Sequence, residues 1–188
     1  MRVLIADDDP IIRLDLKQML ESLGYEIVAE AEDGEAAIRL ARETEPDVCV
    51  LDVKMPAMDG IDAAQVLADE QIAPAILLTA YSDQELISRA KDAGVFGYLV
   101  KPFKPSDLSP AIEVAKSRFE QNKLLTKELS SLQARLEARR VVEQAKGLMM
   151  KSDGITEDEA YKRIREQSMN DRTSMKEVAE AIIAAAGV

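Results

Sequence analysis

Five residues of this chain carry groups that become chemically useful only if a fold gathers them: Asp7, Asp8, Asp52, Thr79 and Lys101. Each follows a short apolar run. Val3-Leu4-Ile5-Ala6 leads into Asp7-Asp8-Asp9, Val48-Cys49-Val50-Leu51 into Asp52, Ala75-Ile76-Leu77-Leu78 into Thr79, and the run from Phe96 to Val100 into Lys101. Carboxylates brought that close repel one another, and a hard divalent cation relieves the repulsion. Oxygen ligands without imidazole or thiolate favour magnesium, so Asp7, Asp8, Asp52 and the backbone carbonyl of Lys54 are the expected Mg2+ ligands. Once a metal and an ammonium neutralise the phosphoryl oxygens, a carboxylate can attack phosphorus and become an acyl phosphate. Asp52 is the expected phosphoacceptor, with Lys101 and the Thr79 hydroxyl binding phosphoryl oxygens. The sequence has no glycine-rich loop to cradle a nucleotide, so the phosphoryl group must be brought by another molecule.

Composition excludes much of the remaining chemistry. None of the 188 residues is histidine, which removes Ser-His-Asp and Cys-His pairs and every histidine-ligated metal. The single cysteine, Cys49, can form neither an internal disulfide nor a thiolate zinc cage, and inside an apolar run it is expected to be an inert buried residue. Apolar residues at 47% and charged residues at 31% describe a globular chain long enough for two unequal domains. The longest apolar stretches, Pro74 to Ala80 and Ala181 to Val188, fall far short of the roughly 20 residues that cross a bilayer. The first residues also lack the features of a secretory signal, so a cytoplasmic location with no membrane partner is expected.

The elements that must position the five residues follow from periodicity. After the first apolar run, residues 12, 16, 19, 20 and 23 mark a helix stopped at Gly24. The unit then repeats: Ile27-Val28-Ala29 precedes a helix near 33–42, Val48–Leu51 one near 61–69, and Ala75–Leu78 one near 83–93, before the last strand at 96–100. Five strands alternating with helices, two of them wholly apolar, predict an α/β doubly wound five-stranded parallel sheet. In such a sheet the strand ends lie on one edge, where ligands bind. Beyond Lys101-Pro102-Phe103 all signals are helical: a long helix, then a capping box at Thr156 to Glu159, then a last helix over 175–186.

Ile5-Ala6-Asp7-Asp8, Leu51-Asp52-Val53-Lys54-Met55-Pro56 with Asp59-Gly60, Leu78-Thr79-Ala80 and Gly97-Tyr98-Leu99-Val100-Lys101-Pro102-Phe103 together resemble the receiver domain of two-component response regulators. The resemblance implies a flavodoxin-like receiver over 1–120, phosphotransfer to Asp52 from a cognate sensor histidine kinase, and a cis bond at Lys101-Pro102. It also implies a switch pair, Thr79 with Tyr98, and a phosphoacceptor that takes part in its own phosphotransfer rather than an enzyme. Residues 138–188, through Val142-Glu143-Gln144-Ala145-Lys146-Gly147-Leu148-Met149, Ile155 to Tyr161 and Met169 to Arg172, resemble the three-helix ANTAR output domain of the AmiR and NasT antitermination regulators. That likeness implies binding to RNA hairpins in target transcripts and control of gene expression by antitermination.

Between these parts, residues 121–137 offer two readings. Leu125, Leu129, Leu132 and Leu136 stand at heptad spacing, either on a surface helix that finishes the first domain or on a coiled coil joining two protomers in a homodimer favoured by phosphorylation. Charge also divides the chain: residues 1–120 hold 12 Lys and Arg against 24 Asp and Glu, net −12, whereas 121–188 hold 12 against 11, net +1. RNA contact is expected from Arg139, Arg140, Lys146, Arg165, Arg172 and Lys176, and Tyr161 is either core or a surface for base stacking. Two other outputs stay open, a DNA-binding transcription factor and a protein-binding dimerisation bundle.

Overall fold

The computed structural model describes residues 1–80 and 95–186. Five strands, β1 (Arg2–Ala6), β2 (Glu26–Ala31), β3 (Val48–Asp52), β4 (Ala75–Thr79) and β5 (Gly97–Val100), form one parallel sheet in the order β2-β1-β3-β4-β5. The helices are α1 (Pro10–Ser22), α2 (Gly34–Thr44), α3 (Gly60–Asp69), α4 (Pro105–Asp153), α5 (Glu157–Asp171) and α6 (Met175–Ala185). The helix expected near 83–93 lies outside the described residues.

Alternation along the strands sorts the core onto two faces. Leu4, Ala6, Cys49, Leu51 and Leu77 pack with Ala37, Ile38 and Ala41 of α2 and Ile61, Ala64 and Leu67 of α3. On the opposite face Val3, Ile5, Val48, Val50, Ile76 and Leu78 meet Leu16 and Leu20 of α1 and Leu108, Ile112 and Ala115 of α4. Both faces of β3 and β4 are covered, which is why these strands are apolar up to their last residues, Asp52 and Thr79, and buried at every position. Each fully buried Leu or Ile contributes about 1.5–3 kcal/mol relative to an exposed side chain. Asp9 caps α1 by accepting from the N–H groups of Ile11 and Ile12, with Pro10 in the first turn, where a missing N–H costs nothing.

The chain divides into two compact units, Met1–Leu124 and Leu125–Val188. The second has its own core of Val142, Ala145, Ile164, Val178 and Ala179, flanked by Val141, Met149, Met175, Ile182 and Ile183. Leu148, in the same stretch of α4, is only partly buried and lies outside that core. Capping boxes start both short helices. Thr156 and Glu159 exchange backbone bonds of 2.9 and 3.3 Å, and Ser174 and Glu177 exchange bonds of 2.8 and 3.2 Å. Hydrogen bonds from the Thr173 hydroxyl and from Ser174 hold the Glu177 carboxyl down to about 2.

Candidate functional site

Strand register fixes what converges at the sheet's C-terminal edge. Ala6 pairs with Leu51, Asp52 with Leu78, and Thr79 with Val100, so Asp7, Asp52, Thr79 and Lys101 come to the same edge from four neighbouring strands. Lys101 Nζ donates to Asp7 Oδ2 at 2.9 Å and to Asp52 Oδ1 at 2.5 Å, and the Lys54 N–H donates to Asp52 Oδ2 at 2.7 Å. Asp7 is 1% exposed and Asp52 7%. Burial pushes the Asp52 carboxyl above the usual range against the pull of Lys101. For Lys101 burial works the other way, yet the bonds to Asp52 and Asp7 outweigh it and raise the ammonium. Thr79 is buried beside this group, and its carbonyl accepts from the Lys101 N–H at 2.7 Å; the Lys101-Pro102 bond is cis.

Two further contacts set the frame. Arg13 donates to the Asp7 carbonyl at 2.5 Å, and Asp7 Oδ1 accepts from the Asp9 N–H at 3.0 Å. At the start of α3, a Cβ on Gly60 would lie 2.0 Å from the carbonyl oxygen of Asp52, so only glycine lets the helix begin against the end of β3. Neither role was assigned from the sequence; Asp59-Gly60 beside the Asp52 run was the signal that could have found the second.

In the tail unit, Arg139, Arg165 and Arg172 are exposed and form no ion pair among the described residues. Arg140 lies 3.8 Å from Glu137, Arg163 3.1 Å from Asp153, and Lys176 3.5 Å from Glu180. Lys146 is different. It is 6% exposed, with Nζ 2.8 Å from Glu143 and 2.7 Å from Glu157, and both carboxylates raise its ammonium.

A family model described as the response regulator receiver domain matches residues 3–113, and one described as the ANTAR domain matches residues 130–183. The transcriptional regulatory protein PdtaR of Mycobacterium tuberculosis is 52% identical over 186 residues, covering 99% of this chain and 91% of that protein. The chain belongs to the response regulators that join a receiver to an ANTAR domain. Among solved structures, the receiver domain of the putative response regulator NarL from M. tuberculosis superposes with a TM-score of 0.59 at 30% identity, covering 62% of this chain and 95% of that one. A CheX-CheY-BeF3-Mg complex from Borrelia burgdorferi matches with a TM-score of 0.56 at 28% identity, over 60% of this chain and 86% of that one.

Within the receiver, Asp7 and Asp52 are joined through Lys101, with Asp8 next to Asp7 in the chain. Asp8 is exposed, Lys101 Nζ lies between the other two carboxylates, and no group of three His, Cys, Asp or Glu side chains is gathered for a metal among the described residues. In donor type the set still fits magnesium, since every side-chain donor is a carboxylate oxygen. Tyr98, the expected partner of Thr79, is 51% exposed on β5, where exposed and partly buried positions alternate.

Within the ANTAR domain, Lys146 is placed differently from the exposed arginines. Its helical spacing puts it on the face of Val142, Ala145 and Met149, so its stem runs along the core and its head is held by Glu143 and Glu157 rather than offered to phosphate. That spacing was the signal the sequence reading passed over. The leucines Leu125, Leu129, Leu132 and Leu136 are all more than half exposed. Among the described residues, no helix is long and apolar enough to cross a membrane.

Proposed function

We propose that this response regulator is phosphorylated on Asp52 by a cognate sensor histidine kinase and controls gene expression by binding RNA hairpins and promoting antitermination. The observation that carries the first half is the meeting of Lys101 Nζ with Asp7 and Asp52 beside Thr79. An Asp52 oxygen attacks the phosphorus of a phosphohistidine, an acyl O–P bond forms, the P–N bond breaks, and the imidazole leaves with a proton. Lys101 pairs with the phosphoryl oxygens and the Thr79 hydroxyl donates to one of them, while the Lys54 N–H holds the second Asp52 oxygen and so fixes the direction of attack. Magnesium, held by Asp7, Asp8, Asp52 and the Lys54 carbonyl, would neutralise phosphoryl charge.

The protein acts as a cytoplasmic phosphoacceptor rather than a turnover enzyme, and it forms a homodimer through Leu125, Leu129, Leu132 and Leu136 when phosphorylated. The ANTAR likeness supports RNA over DNA as the output ligand. Asp52→Asn should keep the fold and abolish labelling by a small radioactive phosphodonor in magnesium. A variant labelled as fast as wild type would rule the assignment out.

A further inference from the structure

Along α4, every residue from 120 to 137 is exposed, whichever side of the helix it stands on. A helix with no neighbour on any side normally carries polar residues all round. This stretch instead holds Leu125, Leu129, Leu132 and Leu136, each between 54% and 69% exposed. Their spacing of four, three and four residues makes one stripe, the seam of a coiled coil. Placing the leucines inward fixes the flanks. Glu128 and Arg135 stand on one flank, Thr126, Gln133 and Arg140 on the other, and Asn122 and Arg139 extend the seam at its two ends. Glu128 and Arg135 are seven residues apart, about 10 Å along the helix, too far to meet within one chain. Neither forms an ion pair among the described residues.

A second copy can pair with this stripe in two directions. The leucines are matched either way, so the charges decide. Aligned in the same direction, Arg139 would face the partner's Arg139 across the seam, Arg135 would face the partner's Arg140 on the flank, and Glu128 would find only the partner's Gln133. Run in opposite directions, Leu125 meets the partner's Leu136 and Leu129 the partner's Leu132. Glu128 then meets the partner's Arg135, and two-fold symmetry makes that pair twice. On the other flank uncharged Thr126 meets the partner's Gln133, and at the seam's end the Asn122 amide oxygen can accept from the partner's Arg139. We propose that the phosphorylated protein pairs as an antiparallel coiled coil of α4, with the two-fold axis between residues 130 and 131. This rests on the reading that these leucines carry self-association. It also sets each acidic receiver, net −12 over 1–120, at the end of the coil where the partner's Arg139 and the partner's Arg140 stand.

The test uses the full chain, in which Cys49 is buried and leaves an introduced thiol as the reactive one. Leu125→Cys and Leu136→Cys, both at exposed positions, are prepared separately with beryllofluoride and magnesium and oxidised by copper phenanthroline, alone and mixed in equal amounts. Disulfide-linked dimers should form in the mixture and be absent from either variant alone, because each cysteine would lie about 16 Å along the coil from its own copy. Arg135→Glu should weaken the dimer about tenfold in sedimentation, since two attracting pairs become repelling ones, and adding Glu128→Arg should restore it. In a parallel dimer the same Arg135→Glu would relieve repulsion from the partner's Arg140 and tighten association. Linkage of either cysteine variant with itself, or a tighter Arg135→Glu dimer, would overturn the antiparallel pairing while self-association through the leucines stands. A dimer in sedimentation with no linkage in any mixture would overturn it as well. If wild type stays monomeric with beryllofluoride, the self-association reading fails and the pairing with it.

Discussion

The Cys49 thiol sits in β3 with no exposed surface, and burial alone pushes it up to about 12 from an ordinary value near 9. A raised acid favours the neutral form in the folded chain. Its contribution to stability is therefore complete below pH 9 and is lost as pH climbs from there toward 12, because the unfolded chain ionises first. At pH 8 the native protein should resist a disulfide reagent such as DTNB for as long as it stays folded and react at once in guanidinium. Stoichiometric labelling of the native protein within seconds would contradict the burial. At the sheet edge burial acts on the Asp52 carboxyl in the same direction, and there the paired Lys101 opposes it.

At the scale of elements, the meeting of α3 with β3 depends on one missing methyl group. Gly60→Ala would force its Cβ against the Asp52 carbonyl oxygen, a backbone atom that cannot swing aside, so destabilisation of about 3 kcal/mol is expected in a denaturant melt. Because the displaced atom belongs to Asp52, the proposed phosphoacceptor, labelling by a small phosphodonor should fall as well. A melt within about 0.5 kcal/mol of wild type would show that the helix start can shift without loss. The strands themselves were legible in the sequence because a sheet covered on both faces demands uninterrupted apolar runs, and the polar residues ending those runs marked the edge. What the runs do not encode is who meets whom across the edge. Lys101 inserting between Asp7 and Asp52 depends on register and loop path. In the tail, net charge suggested a phosphate contact at Lys146 where helical phase pointed to the core.

For the whole molecule, the exposed leucines on α4 matter because several large hydrophobics repeated along one face are costly to leave in water. Beryllofluoride with magnesium should shift sedimentation toward a dimer, and the double variant Leu129→Gln with Leu132→Gln should hold the protein as a monomer without changing its melt. An unchanged mass in both would discard self-association through this stripe. Another pattern spans the chain: Lys101 in the receiver and Lys146 in the ANTAR domain are each clasped by two carboxylates, which keep the ammonium charged. A protonated, shielded amine is a poor nucleophile. Under brief treatment with an amine acetylating reagent, exposed lysines such as Lys123, Lys127 and Lys162 should be modified while these two remain bare. Each would then become acylated only when its own unit opens, so peptide mass spectrometry on a single sample would time the unfolding of the two halves separately, with one native lysine as the clock in each.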